Sequence, residues 1–351
     1  MGFGTHSEVI GTIALQVGLA ACALTLVLTV VIFWVRMSLT ITERREKKFQ
    51  EDWRPIMVQS TETAPEQLPP LARSEWISFL SLWNYFQESL LGGSKQNLNR
   101  LARECAMDVA AKKLLETGNI RERLLAILAL GHLREKSAWR ALRHVVTSSD
   151  PVLSLAAARA IVQIDAHAAM PLLVPQICTR EEWSPSKVAG ILREAGVEVI
   201  SRPLAAAAMY AAPRTLPRLI RYLNMVPSAI ADPVIGQIIQ ASTDEQVIAA
   251  CLEAMKDPVH LATIRSFAGH PDWHVRMAAA GALGRLGTDR DGRILVDMLD
   301  DNEWWVSRHA AQSLARMPFV TAKKLRRIGD GLKSEPAKRM LNLVIEENES
   351  S

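Results

Sequence analysis

Two stretches near the C-terminus decide how this chain is read: Asp272-Trp273-His274-Val275-Arg276-Met277-Ala278-Ala279-Ala280-Gly281-Ala282-Leu283 and Glu303-Trp304-Trp305-Val306-Ser307-Arg308-His309-Ala310-Ala311-Gln312-Ser313-Leu314. They match at their apolar sites with an offset of about 31 residues, the mark of an internal repeat. Asp150-Pro151-Val152-Leu153, continuing through Ala157, Ala158, Ala160, Ile161 and Ile164, matches at about four periods upstream. One period earlier, Asn119 to Arg123 leads into Ala126, Ala129, Leu130 and Leu133, and Trp139, Leu142 and Val146 supply a second short helix. An Asp or Asn ahead of each helix can accept from its free first-turn amides. The paired alanines permit close helix approach, and Leu or Ile a turn later fills the layer between hairpins. One such hairpin cannot bury its face alone, so the units must stack.

From about residue 75 onward the chain reads as short Ala- and Leu-rich helices separated by Gly, Pro and Asp, with no alternating strand pattern. The pattern resembles the HEAT repeat family, in particular the short bacterial type similar to the repeats of phycobilisome lyases. The resemblance covers about residues 95–330 and is strongest over 118–178 and 271–330. It weakens between about 180 and 260, where Pro203, Pro213, Pro217, Pro227 and Pro233 interrupt the helices. It implies an all-α fold: an α-solenoid of roughly seven to eight hairpins over 74–346, ending in a polar tail at 347–351. The motif positions are Asp150, Asp272, Val275, Arg276, Val306 and Arg308; the family's Asp–Arg ladder between units is matched by Asp272 and Arg276, while Ser154 and Ser307 replace Arg in two units.

Ahead of the repeats, Ile10 to Val35 is apolar and free of charge, long enough to span a bilayer at helical rise. The reading is a short extracytoplasmic N-terminus (1–9), a transmembrane helix (10–37), and a basic then Pro-rich cytoplasmic linker (38–73). Arg36, Arg44, Arg45, Lys47 and Lys48 flank the run on one side only, which places the N-terminus outside and the solenoid in the cytoplasm of a bacterial inner membrane, with anionic lipid beside the basic cluster. Cys22, Cys105, Cys178 and Cys251 are too scattered for a disulfide framework or a zinc site.

No catalytic constellation emerges, and no cofactor or metal is expected. His270 and His274 are four apart with Pro271 between them at a turn, so they do not share a helix face as a metal pair would. No His is followed by Glu, which argues against the di-iron hydroxylases built on this repeat. Phosphate-binding glycine loops and nucleophile elbows are lacking. The net charge of +4 is too mild to indicate a nucleic-acid partner.

Candidate partner-binding residues are Trp83 and Tyr85 in an aromatic segment at 74–91, Arg214, Arg218 and Arg221 at helical spacing, and Trp304 with Trp305. The aromatic segment is either a first helix packed on the solenoid end or a docking surface. The arginine stripe is either a solvated face or a site for an acidic partner or a phosphate. Whichever of Trp304 and Trp305 the hairpin leaves exposed has the most freedom to bind.

These features point to a non-enzymatic, membrane-tethered protein-interaction scaffold. Trp83-Asn84 through Arg123-Leu124-Leu125-Ala126-Ile127 to Leu130-Gly131-His132-Leu133 further resembles membrane-anchored HEAT proteins encoded beside family 2 glycosyltransferases, which implies an envelope polysaccharide or glycan synthase as partner. The repeat type also allows two other functions: a bilin lyase or isomerase-like subunit, and a nucleic-acid binder resembling the alkylpurine glycosylases.

Overall fold

A computed structural model describes residues 4–349 except 64, 66, 67 and 91; side chains at 4–25, 27, 35, 38, 39, 41 and 42 within the first helix, and at 349, are not described. All regular structure among the described residues is helical. The chain divides into two compact units, Met1–Leu133 and Arg134–Ser351.

The first unit comprises α1 (Gly4–Gln59), α2 (Trp76–Ser89), α3 (Ser94–Glu104), α4 (Met107–Thr117) and α5 (Ile120–His132). The stretch read as a linker is helical through Gln59, and α1 seats Phe49, Trp53 and Met57 in the core. These three recur at four-residue spacing, so one face of α1 packs on α2, where Trp53 meets Phe79 edge-on at 5.1 Å. Asn119 and Glu122 close a reciprocal capping box that starts α5.

The expected membrane anchor is corrected. Among the described residues no helix is long and apolar enough to cross a membrane. Most of the expected span, 10–25, lies outside the residues whose side chains are described. The single-pass inner-membrane localisation inferred for 10–37 therefore does not stand. Arg36, Arg44, Arg45, Lys47 and Lys48 lie exposed along α1.

The second unit contains α6 (Trp139–Val146), α7 (Pro151–Ile164), α8 (Ala166–Thr179), α9 (Pro185–Ala195), α10 (Val197–Tyr210), α11 (Leu216–Leu223), α12 (Ser228–Ala241), α13 (Glu245–Ala254), α14 (Leu261–Ser266), α15 (Trp273–Leu286), α16 (Asp291–Asp297), α17 (Trp304–Arg316), α18 (Ala322–Gly331) and α19 (Glu335–Glu349). Helices α11, α13, α15, α17 and α19 pack in succession as one layer, and α8, α10 and α12 pack in succession as well. Asp150, Asp244 and Asp272 each accept from two first-turn amides at 2.9–3.2 Å, which fixes the starts of α7, α13 and α15.

Of the prolines in the middle repeats, Pro213 and Pro227 lie between helices as expected, whereas Pro203, Pro217 and Pro233 lie inside them. Pro203 and Pro233 lie within the first two turns of α10 and α12, so the carbonyls they leave unpaired, on Val199 and Ala229, belong to the first helical turn. Pro217 occupies the first turn of α11, where no amide partner is required.

Cations tie neighbouring repeats together. Arg276 forks onto Asp301 with Nε–Oδ2 at 2.7 Å and Nη2–Oδ1 at 2.8 Å, and donates Nη1 to the carbonyls of His270 and Pro271. Arg265 forks likewise onto the buried Asp291, at 2.6 and 3.1 Å. Where Ser154 replaces the motif Arg, Arg180 and the Trp183 indole N–H donate to its hydroxyl. Ser307 instead donates to the Leu299 carbonyl at 2.7 Å.

Hydrogen bonds from Arg265, together with those from the Thr288 amide and hydroxyl, hold Asp291 at about 2, against an ordinary 3.8. A carboxylate depressed on folding contributes stability above its unfolded pKa and loses it as pH falls through the folded value. The stability gap between the native chain and Asp291→Asn should therefore be full at neutral pH and shrink between about pH 4 and pH 2. Urea melts across that range check this; a constant gap would mean that the Asp291 carboxylate is not held ionised by its partners.

Candidate functional site

The C-terminal repeats of the second unit hold a groove of about 510 Å³ between α15 and α17. Met277, Ala278, Gly281, Gly284 and Arg285 line it from α15, and His309, Gln312, Ser313 and Arg316 from α17, with Glu253 of α13 and Pro318 at its edge. Its floor follows from small residues. A Cβ built on Gly284 would stand 2.5 Å from Ser313 Cβ and 2.9 Å from Ser313 Cα, so the two helices approach more closely than any side chain there would permit.

One turn before His309, Trp304 and Trp305 stand exposed at 48% and 51%, their rings edge to face at 4.6 Å. Large aromatic side chains left half in water beside a groove are what protein interfaces favour. Both tryptophans are thus exposed, where the repeat pattern alone left open which of them would be. The Arg308 guanidinium lies 5.3 Å over the Trp304 ring and bonds Glu347 of α19 at 3.1 Å, which orders that ring from behind. Trp273, at the equivalent repeat position, is half-buried and stacks on His274 at 3.6 Å.

The other candidates fall elsewhere. Trp83 is fully buried and donates its indole N–H to the Leu98 carbonyl at 2.9 Å; it belongs to the core of the first unit. Tyr85, two residues on and hence on another face of α2, is 62% exposed. The arginine stripe also splits. Arg218 donates Nη2 to the Trp183 carbonyl at 2.9 Å and Nη1 to that of Arg180, a bracing role between repeats. Arg214 is exposed and paired with Glu181 at 3.0 Å, and Arg221 is exposed. Of the motif residues, Val275 and Val306 are fully buried.

Sequence reasoning passed over Arg285, Arg316, His309 and Gln312. A signal was available: Arg285 and Arg316 are separated by about one repeat period and so occupy the same place in consecutive units.

Among the described residues no three His, Cys, Asp or Glu side chains gather as a metal site would need. His270 Nδ1 accepts from the Asp272 amide at 3.1 Å, while His274 lies against the Asp272 carboxylate. Burial pushes the Cys105 thiol up to about 11 and the Cys251 thiol up to about 12, and raises Cys178 as well, so none is a ready thiolate.

HEAT repeats match residues 107–185 and 233–315. A search of curated proteins finds no match. Among solved structures, importin beta is similar at 15% identity and a TM-score of 0.40, over 86% of this chain and 42% of that one. Human deoxyhypusine hydroxylase is similar at 11% identity and a TM-score of 0.29, covering 71% and 99% of the two chains. The phycocyanin lyase complex of Nostoc is similar at 18% and 0.27, covering 81% and 97%. Likenesses at these scores say nothing about function.

Two stability measurements check these placements. Trp83→Ala should cost about 3–5 kcal/mol as a large core truncation, and Tyr85→Ala within about 0.5 kcal/mol. Comparable losses at both sites in urea melts would contradict the placement of α2. Gly284→Ala gains about 1 kcal/mol in helix propensity but meets Ser313 backbone, an overpacking cost of about 1–3 kcal/mol. The melting temperature should fall; a rise would mean that α15 and α17 are not held at contact distance.

Proposed function

We propose that this HEAT-repeat chain is a non-catalytic scaffold that binds a protein partner along the α15–α17 face of its second unit. The reading is carried by one observation: an exposed tryptophan pair in line with an open groove, on helices whose buried faces are already satisfied by their neighbours. Stacked repeats present such faces side by side, and surface side chains on them can diverge without disturbing the core. Large exposed aromatics of this kind supply most of the binding energy where they meet a complementary pocket.

The partner we favour is a glycosyltransferase that builds an envelope polysaccharide. Support for this comes from the resemblance of the segment Trp83 to Leu133 to HEAT proteins encoded beside such enzymes.

A photoreactive amino acid placed at Gln312, with a second at Arg193 on exposed α9 surface as control, tests the scaffold reading in cells of the native host. Adducts with one protein are expected from position 312 and not from 193. The double variant Trp304→Ala, Trp305→Ala should weaken recovery of that protein by tenfold or more, as loss of hot-spot residues does. Equal adducts from both positions, or recovery unchanged by the double variant, would place the interface elsewhere. Mass spectrometry of the adduct decides whether it is a glycosyltransferase.

A further inference from the structure

The groove is lined by more cationic than acidic side chains. Five arginines of the second unit are ion-paired: Arg159 with Glu194, Arg214 with Glu181, Arg265 with Asp291, Arg276 with Asp301 and Arg308 with Glu347. Arg285 and Arg316 differ. Arg285 donates Nη2 to the carbonyls of Leu252 and Glu253 at 2.9 Å, an interaction that leaves its positive charge without an ion pair. Arg316 is exposed and makes no ion pair among the described residues. The only carboxylate lining the groove is Glu253, so two guanidinium groups face one acid, with His309 between them and the tryptophan pair.

The spacing narrows the ligand. Arg285 and Arg316 sit at one repeat position on adjacent packed helices, so their stems start roughly 8–10 Å apart. Along α17, Trp305, His309, Gln312 and Arg316 fall on one face at steps of four, three and four residues. From Trp305 to Arg316 is about 16 Å at helical rise, the reach of about five residues of extended chain. Apolar surface thus lies at one end of a short track and a pair of fork-shaped donors at the other. Guanidinium groups recognise carboxylates with two parallel bonds, and ion pairs at the rim of an interface act on encounter rate and register.

We propose that the α15–α17 groove binds an extended acidic segment of the partner, whose carboxylates reach Arg285 and Arg316 and whose apolar residue, about five positions away, rests on Trp304 and Trp305. This rests on the scaffold reading above. A nucleic acid fits less well: binding through phosphates commonly draws on about six to ten cationic contacts, and this groove offers two arginines beside a glutamate.

The test uses the full-length chain and three fluorescent probes: a peptide of about a dozen residues with Trp placed five positions before an Asp-Glu-Asp run, the same peptide with Asn-Gln-Asn there, and a single-stranded oligonucleotide of similar length. Anisotropy should show the acidic peptide binding at least tenfold more tightly than its neutral counterpart, with affinity falling as salt rises. Arg316→Gln removes no internal bond and should weaken the acidic peptide by tenfold or more while leaving the melting temperature in place. Arg316→Glu should bind the acidic peptide no more tightly than the Asn-Gln-Asn peptide. The proposal is overturned if both peptides bind alike, if neither binds, if Arg316→Gln has no effect, or if the oligonucleotide binds more tightly than the acidic peptide. Adducts at Gln312 in the cell with no peptide binding would leave the scaffold and remove the acidic ligand; peptide binding without adducts would do the reverse.

Discussion

Close approach of like helices in successive repeats is the constraint on which the second unit depends. Ala278, Ala279, Ala280 and Ala282 on α15, and Ala310 and Ala311 on α17, are buried almost completely, and Gly284 lets Ser313 come within contact of the opposing backbone. Small side chains bury little apolar area each, so stability must come from many tight contacts and from the Leu, Ile and Val that fill between them, Leu283, Val275, Val306 and Leu314 among them. The same closeness shapes the groove: helices that touch at Gly284 and Ser313 while carrying Met277, His309 and Gln312 above must leave a channel over the contact.

Repeat stacking also has an electrostatic problem. Each helix ends in unpaired carbonyls near the next repeat, and buried polar groups need partners. This chain meets the need with cations from one repeat reaching main-chain oxygens of another: Arg180 to Ser148, Arg218 to Trp183, Lys256 to Val226 and Arg285 to Leu252. Two rungs are forked carboxylate pairs, Arg276 with Asp301 and Arg265 with Asp291. Where Ser154 and Ser307 stand at the position that Arg276 holds in its repeat, Ser154 accepts from Arg180 and Trp183, and Ser307 donates to the Leu299 carbonyl.

Which candidate side chains stay exposed was legible only in part. Trp304 and Trp305 stood out because two adjacent tryptophans exceed what one motif position can bury, and both are exposed. Trp83 looked equivalent in sequence, yet α2 turns it inward against α3 and turns Tyr85 outward. Arg214, Arg218 and Arg221 share a spacing but not a role, because Arg218 alone meets carbonyls of the preceding repeat. The long apolar N-terminal stretch suggested a span, but among the described residues no helix meets the length and apolarity that crossing requires.

The amino-acid sequence by itself determined the helical repeat. A period near 31, an Asp or Asn at the start of α5, α7 and α15 and an alanine pair after it are local features, and local hydrogen bonding and burial suffice to express them. Tertiary structure decided which face of each helix was used up. Arg285 and Arg316 come to line one groove only because α15 and α17 pack together, and Trp83 becomes core where α3 offers the Leu98 carbonyl to its indole. Whether a side chain is buried or free depends on what packs against it from about 30 residues away, and that information does not lie within the helix that carries it.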